Sequence, residues 1–165
     1  MTTVYIDKRA GLVLTDSRVS WTEKRSFLGL FPLKDKFHYG KAGQKSMYIH
    51  DRLFCAAGSV PSINRVLNYL VSGAEVKADY HNDCHCMLIS KNYVIHLTTI
   101  KGKFSKFVEF INNDYTFTIG SGAPYMIDAK MHDDSETLVD KIFKTFQNVK
   151  NHDIYSDDNI QIHRI

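Results

Sequence analysis

Thr3 to Lys8 alternates polar and apolar residues, and Gly11 to Thr15 forms a second short apolar run. Between them, Asp7-Lys8-Arg9-Ala10-Gly11 has the composition of a hairpin turn, with Gly11 free to take a positive φ. The pattern predicts an N-terminal hairpin that sets the start of the chain inside a sheet. From Val19 to Gly43 the periodicity loosens around Gly29, Pro32, Gly40 and Gly43, which predicts a long loop carrying one short strand. Ser46 to His50 and Arg52 to Ala57 read as two strands reversing near Asp51, with Gly58-Ser59 closing the second. Ile63, Val66, Leu67 and Leu70 then recur at helical spacing, with Pro61 near the start and Gly73 just past the end.

Ala74 to Asp83 is polar and irregular. Four strand patterns follow: Cys84 to Ser90, Tyr93 to Thr98, Lys103 to Val108 and Tyr115 to Ile119. Gly120-Ser121-Gly122 leads into a short helix expected around Tyr125 to Lys130. A second clear helix carries Leu138, Val139, Ile142, Phe143 and Phe146 on one face, with Asp134 or Ser135 as its expected cap. Asn159 to Ile165 alternates again as a last strand. Hairpin-linked strands with helices in two separate blocks predict an antiparallel α+β layer protein, a pair of sheets covered by helices on both outer faces. At 165 residues the chain is read as one domain, 1–165, with no internal repeat.

Composition narrows the function classes. Hydrophobic residues make up 44% and charged residues 24%, which fits an ordinary globular protein rather than a disordered or fibrous one. The net charge of +3 is mild, and Lys and Arg are scattered, so no basic stripe points to nucleic acid. No apolar run reaches the roughly 18 residues of a membrane helix. Met1 to Asp7 lacks the basic and apolar regions of a signal peptide, and the three cysteines (Cys55, Cys84, Cys86) suit free thiols. A cytoplasmic protein is the expectation.

Thr2 is the first candidate for chemistry. Removal of Met1 would leave a free threonine amine, and that amine can act as the base for the same residue's hydroxyl. The α-amine has a reference pKa of about 7.7–8.0, so a modest downward shift poises it near neutrality. Many chains begin Met-Thr without using it, and the dipeptide alone carries little. Asp16 follows the second strand, and Lys45 immediately precedes the third. A buried lysine near the nucleophile would disfavour protonation of the amine, and Asp16 would keep that lysine charged. Taken singly, each is more often a surface charge. Gly58 could aim a backbone N–H at an oxyanion, or simply turn the chain from strand to helix.

In this order Thr2-Thr3-Val4, Asp16-Ser17-Arg18, Lys45, Ala57-Gly58, Gly120-Ser121-Gly122 and Asp153-Ile154-Tyr155-Ser156 resemble the proteasome β-subunits and the bacterial heat-shock-locus-V peptidase. The resemblance spans nearly the whole chain. It implies a four-layer αββα sandwich of two antiparallel sheets, the N-terminal-nucleophile (Ntn) hydrolase fold. It also implies a threonine-type peptidase acting on protein or peptide substrates without a cofactor or metal. Stacked homo-oligomeric rings and an ATP-driven unfoldase partner come with it. By position Thr2 would be nucleophile and base, Asp16 and Lys45 the charged pair, and Gly58 the oxyanion donor. Ser121, Asp153 and Ser156 would orient the threonine amine. Three departures are visible. The hairpin between Thr2 and Asp16 is shorter than usual, and Asp157-Asp158 stand where glycine is common. Ala74 to Asp83 is too short and polar for the family's second central helix, which is therefore expected to be reduced or missing.

Other arrangements compete. His81, Cys84, His85 and Cys86 have a zinc-like look, but on a strand Cys84 and Cys86 share one face while His85 takes the other. Cys55 reads as core. Gly120-Ser121-Gly122 lacks the spacing of a serine-nucleophile elbow. His152 beside Asp153 is a rival general base expected to be solvated, and Phe27, Phe31, Phe37 and Tyr39 read as packing residues. Two further functional readings stand beside the peptidase: a catalytically silent assembly or regulatory protein, and an amidohydrolase of small amides using the same N-terminal chemistry.

Overall fold

The structure is a computed structural model and describes residues 3–17, 19–27, 31–40, 45–126, 137–153 and 159–165. Its strands are β1 (Thr3–Asp7), β2 (Leu12–Asp16), β3 (Val19–Phe27), β4 (Phe31–Gly40), β5 (Ser46–Ile49) and β6 (Arg52–Gly58). They continue with β7 (Cys84–Ile89), β8 (Tyr93–Ile100), β9 (Lys103–Phe110), β10 (Thr116–Gly120) and β11 (Ile160–Arg164). The helices are α1 (Val60–Ser72), α2 (Ala123–Met126) and α3 (Leu138–His152).

Two antiparallel sheets form the body. The first has the order β10-β1-β2-β11 and the second β5-β6-β7-β8-β9. Alternation along each strand divides the side chains between three apolar layers. Val4, Ile6, Val13, Leu53, Cys55, Ala57, Met87 and Ile89 meet between the sheets. Tyr5, Leu12 and Leu14 point outward to Met126 of α2 and to Ile142, Phe146 and Val149 of α3. On the other side Phe54, Ala56, Cys86 and Leu88 pack against Val66 of α1. The result is α1, sheet, sheet, α2 with α3: the four-layer αββα sandwich the sequence led us to expect. Each large apolar side chain buried in these layers contributes about 1.5–3 kcal/mol relative to exposure.

The helix α1 matches its predicted span. Pro61 occupies the first turn, and Gly73 closes it in the left-handed conformation at φ 71°, its N–H donating to Tyr69 O. In the N-terminal turn Ala10 N–H donates to Asp7 Oδ1 at 2.9 Å and Gly11 takes φ +67°. No helix occupies residues 74–83. That segment is irregular, and its Val76 drops into the layer beside α1. At the open edge of the second sheet, β9 exposes Phe107, Val108 and Phe110.

Three expectations change. Val19 to Gly43 is not a loop with one strand, because β3 and β4 pair over most of it as a two-stranded antiparallel hairpin. The register shifts between Glu23 and Arg25, a β-bulge in the hairpin. The cap of α3 is Thr137, whose Oγ1 accepts the Asp140 N–H, rather than Asp134 or Ser135, which lie outside the described residues. The short helix starts earlier than predicted, at Ala123, and residues 127–130 of its expected span also lie outside.

Candidate active site

Two polar pairs stand at the end of β1 that begins with Thr3. In the first, the Asp16 carboxylate ends β2 and is wholly buried. Lys45 places its Nζ 3.3 Å from Asp16 Oδ1 and 3.2 Å from Oδ2, and its side chain is only 9% exposed. Asp16 Oδ1 also accepts the Thr3 N–H at 2.7 Å. A buried charge is tolerated only when it is paired and hydrogen-bonded, and this carboxylate is both. Hairpin β1–β2 brings Asp16 here through the pairing of Val4 with Thr15. Strand β5 brings Lys45, whose carbonyl accepts the Ala56 N–H of β6.

The second pair comes from the other side of β1. Thr3 pairs with Gly120 of β10, and its Oγ1 accepts the Gly122 N–H at 3.1 Å. Next to it Ser121 Oγ donates to Asp153 Oδ2 at 2.6 Å. Asp153 is the C-cap of α3, its N–H bonded to Val149 O at 2.7 Å, so the helix end fixes the carboxylate that holds Ser121. Thr3 is thus anchored on both sides, by Asp16 at its nitrogen and by Gly122 at its hydroxyl. Thr3 N is the atom to which residue 2 is bonded. Thr2 and Ser156 themselves lie outside the described residues.

Gly58 ends β6 at φ +119°. A Cβ there would stand 2.5 Å from Asp83 O and 2.6 Å from Cys84 Cα. Only glycine lets β6 and β7 approach this closely. His152 is exposed and stacks on Tyr125 with ring centroids 5.2 Å apart.

Cys84 and Cys86 share the helix-side face, with their sulfurs 3.8 Å apart, whereas His85 turns into the space between the sheets. The Cys86 and Thr99 hydrogen bonds bring the Cys84 thiol down to about 7, and burial pushes Cys55 up. His85 belongs to a polar chain that sequence reasoning missed. Its Nε2 lies 2.9 Å from His96 Nδ1, His96 Nε2 lies 3.0 Å from Glu109 Oε2, and Tyr115 OH donates to the same oxygen at 2.7 Å. Phe107 stacks on the fully buried His96 ring. Burial, with a smaller push from His96, depresses the His85 pKa to about 4; burial also lowers His96, against the pull of Glu109. A second missed cluster joins Thr15, Ser46, Gln161 and His163 between β2, β5 and β11. Neither has a short-range signature, because the partners stand on different strands and are of ordinary types.

No family model matches the chain, and no curated protein matches it significantly. Solved structures do. The chain is similar to eukaryotic HslV from Trypanosoma brucei, with a TM-score of 0.57 and 15% identity over 98% of this chain and 97% of that one. It is also similar to Thiobacillus denitrificans BPH in complex with epoxomicin, with a TM-score of 0.55 and 10% identity over 100% of this chain and 98% of that one. Sheet order, helix placement and these likenesses agree: the chain has the proteasome-like Ntn-hydrolase fold shared with HslV.

Proposed function

We propose that the chain is a threonine-type peptidase whose nucleophile is Thr2, freed by removal of Met1. The observation that carries this reading is the buried Asp16–Lys45 pair bonded to Thr3 N, the atom joined to residue 2. A fixed positive charge there lowers the pKa of a neighbouring amine, and a neutral amine can accept the threonine hydroxyl proton. Thr2 Oγ then attacks the peptide carbonyl, and the Gly58 N–H steadies the oxyanion. The proton passes from the amine to the departing peptide nitrogen, leaving an ester on Thr2 that water hydrolyses. Ser121 and Asp153, with Ser156, hold the amine in place. A homo-oligomeric ring would keep folded proteins from the site, with an ATP-dependent unfoldase feeding it in the cytoplasm.

The likeness to an HslV and to a protein solved with epoxomicin supports the same reading. The missing second helix favours one rival, a proteasome-fold assembly protein without turnover. Intact mass and N-terminal sequencing of the native protein, followed by cleavage of fluorogenic peptides, separate the two. The peptidase should lack Met1 and lose cleavage in Thr2→Ala with its fold intact. Quantitative retention of Met1 in the assembled protein, or activity surviving in Thr2→Ala, overturns the proposal.

A further inference from the structure

The residues beside both members of the charged pair are held by one side chain from the last strand. Thr15 precedes Asp16 and is fully buried; Ser46 follows Lys45 and is 3% exposed. Thr15 Oγ1 donates to Gln161 Oε1 at 3.3 Å, and Ser46 Oγ donates to the same oxygen at 2.8 Å. That carbonyl has two lone pairs, and both are used. Ser46 has spent its only proton on Gln161, so its 2.6 Å contact with His163 Nε2 must run from His163 N–H to Ser46 Oγ. The bonds therefore have a fixed direction, His163 to Ser46 to Gln161, with Thr15 joining at the end. His163 is further set by the edge of Tyr48, 6.0 Å away on β5.

The pairing explains why the reach is right. Gln161 lies opposite Thr15 and His163 opposite Val13 in the β2–β11 ladder, so both share a face with Val13 and Thr15 toward the second sheet. Ser46 begins β5, the edge strand of that sheet. Gln161 thus ties the two sheets together one residue away from Asp16 on one side and one residue away from Lys45 on the other.

We propose that Gln161, with His163 behind it, is a positioning residue that fixes the separation and orientation of the Asp16–Lys45 pair across the two sheets. The proposal rests on the threonine-peptidase reading for its functional meaning. Loosening the tie lets Lys45 drift, which weakens its repulsion of the Thr2 ammonium. The amine pKa then rises, and less of it is neutral at a given pH. Peptide contacts are untouched.

The test compares Gln161→Met, which keeps the length but loses the acceptor, with Gln161→Glu, which keeps an acceptor oxygen. In Gln161→Met, kcat for a fluorogenic peptide should fall on the order of tenfold with KM changed by less than about twofold, and the acidic limb of the pH–rate profile should move upward. Gln161→Glu should restore most of kcat. Ser46→Ala should show the same kinetic signature, and adding it to Gln161→Met should cost little more, because both cut one connection. Wild-type kcat and an unmoved limb in Gln161→Met, or Glu and Met behaving alike, overturns the proposal. If Gln161→Met does not fold, Ser46→Ala against Ser46→Thr decides by the same criteria. If the wild type cleaves nothing, the peptidase reading fails by itself. Competitive labelling of the Lys45 amine then reads the tie directly: higher reactivity in Gln161→Met supports it, and unchanged reactivity overturns it.

Discussion

Replacing His85 by glutamine should flatten the fall in stability between about pH 7 and about pH 5. In the native protein His85 is held between the sheets, and its pKa is depressed from 6.5 to about 4. The unfolded chain therefore takes up a proton near pH 6.5 that the folded one refuses until about pH 4. Stability from this group is complete above the unfolded value and is lost as pH falls through that window. Between about pH 7 and about pH 5 the two values give a loss of about 1.8 kcal/mol if taken at full weight. His85 is only partly buried, so solvent screening reduces this to on the order of 1 kcal/mol. Glutamine can still offer an N–H to His96 Nδ1, which accepts because His96 spends its own proton on Glu109. The variant should thus keep the chain of hydrogen bonds and remove the titration. Urea denaturation followed by circular dichroism at the two pH values gives the comparison. His96 remains and retains its own share of the slope. An undiminished slope in His85→Gln would refute the placement of the titrating group.

Three more outcomes follow from the geometry. Gly58→Ala should destabilise the protein by about 3 kcal/mol or more, because its Cβ would collide with Asp83 O and the Cys84 backbone at positive φ. A urea midpoint close to wild type would contradict the close approach of β6 and β7. Thr137→Ala should cost about 1 kcal/mol through loss of the α3 cap, seen as a lowered thermal midpoint with unchanged kcat. Ser121→Ala should cut kcat about tenfold or more and cost about 1–3 kcal/mol of stability, because the buried Asp153 carboxylate loses the Ser121 hydroxyl. Wild-type kcat would detach the Ser121–Asp153 pair from the reaction.

Legibility in the sequence followed the range of the interactions. The helix α1 could be read to the residue because Ile63, Val66, Leu67 and Leu70 set its face while Pro61 and Gly73 mark its limits. The β5–β6 reversal was legible for the same local reason. The β3–β4 hairpin was missed although its apolar residues keep to alternate positions, because Gly29, Pro32 and the polar runs 22–26 and 34–36 read as loop. The start of α3 was misplaced because several residues suited to capping precede it, and only geometry selects Thr137. Around the candidate site, Asp16 and Lys45 were singled out by resemblance in motif order. Their actual contact crosses two sheets, and no spacing rule encodes it. The tie through Gln161 and the chain through His96 were invisible for that reason: amides, hydroxyls and histidines on strands carry no local sign of a distant partner.

The placement of β11 beside β2 bears on how the protein is made. The hairpin that carries Thr3 and Asp16 precedes both of its neighbours in the sheet, β10 on one side and β11 on the other, along this sequence. Residues 3–16 must wait for residue 164 to leave the ribosome before that sheet can close. Vectorial synthesis thereby acts as a timer. The parts of the candidate site exist early but converge only after nearly the whole of this sequence has been translated.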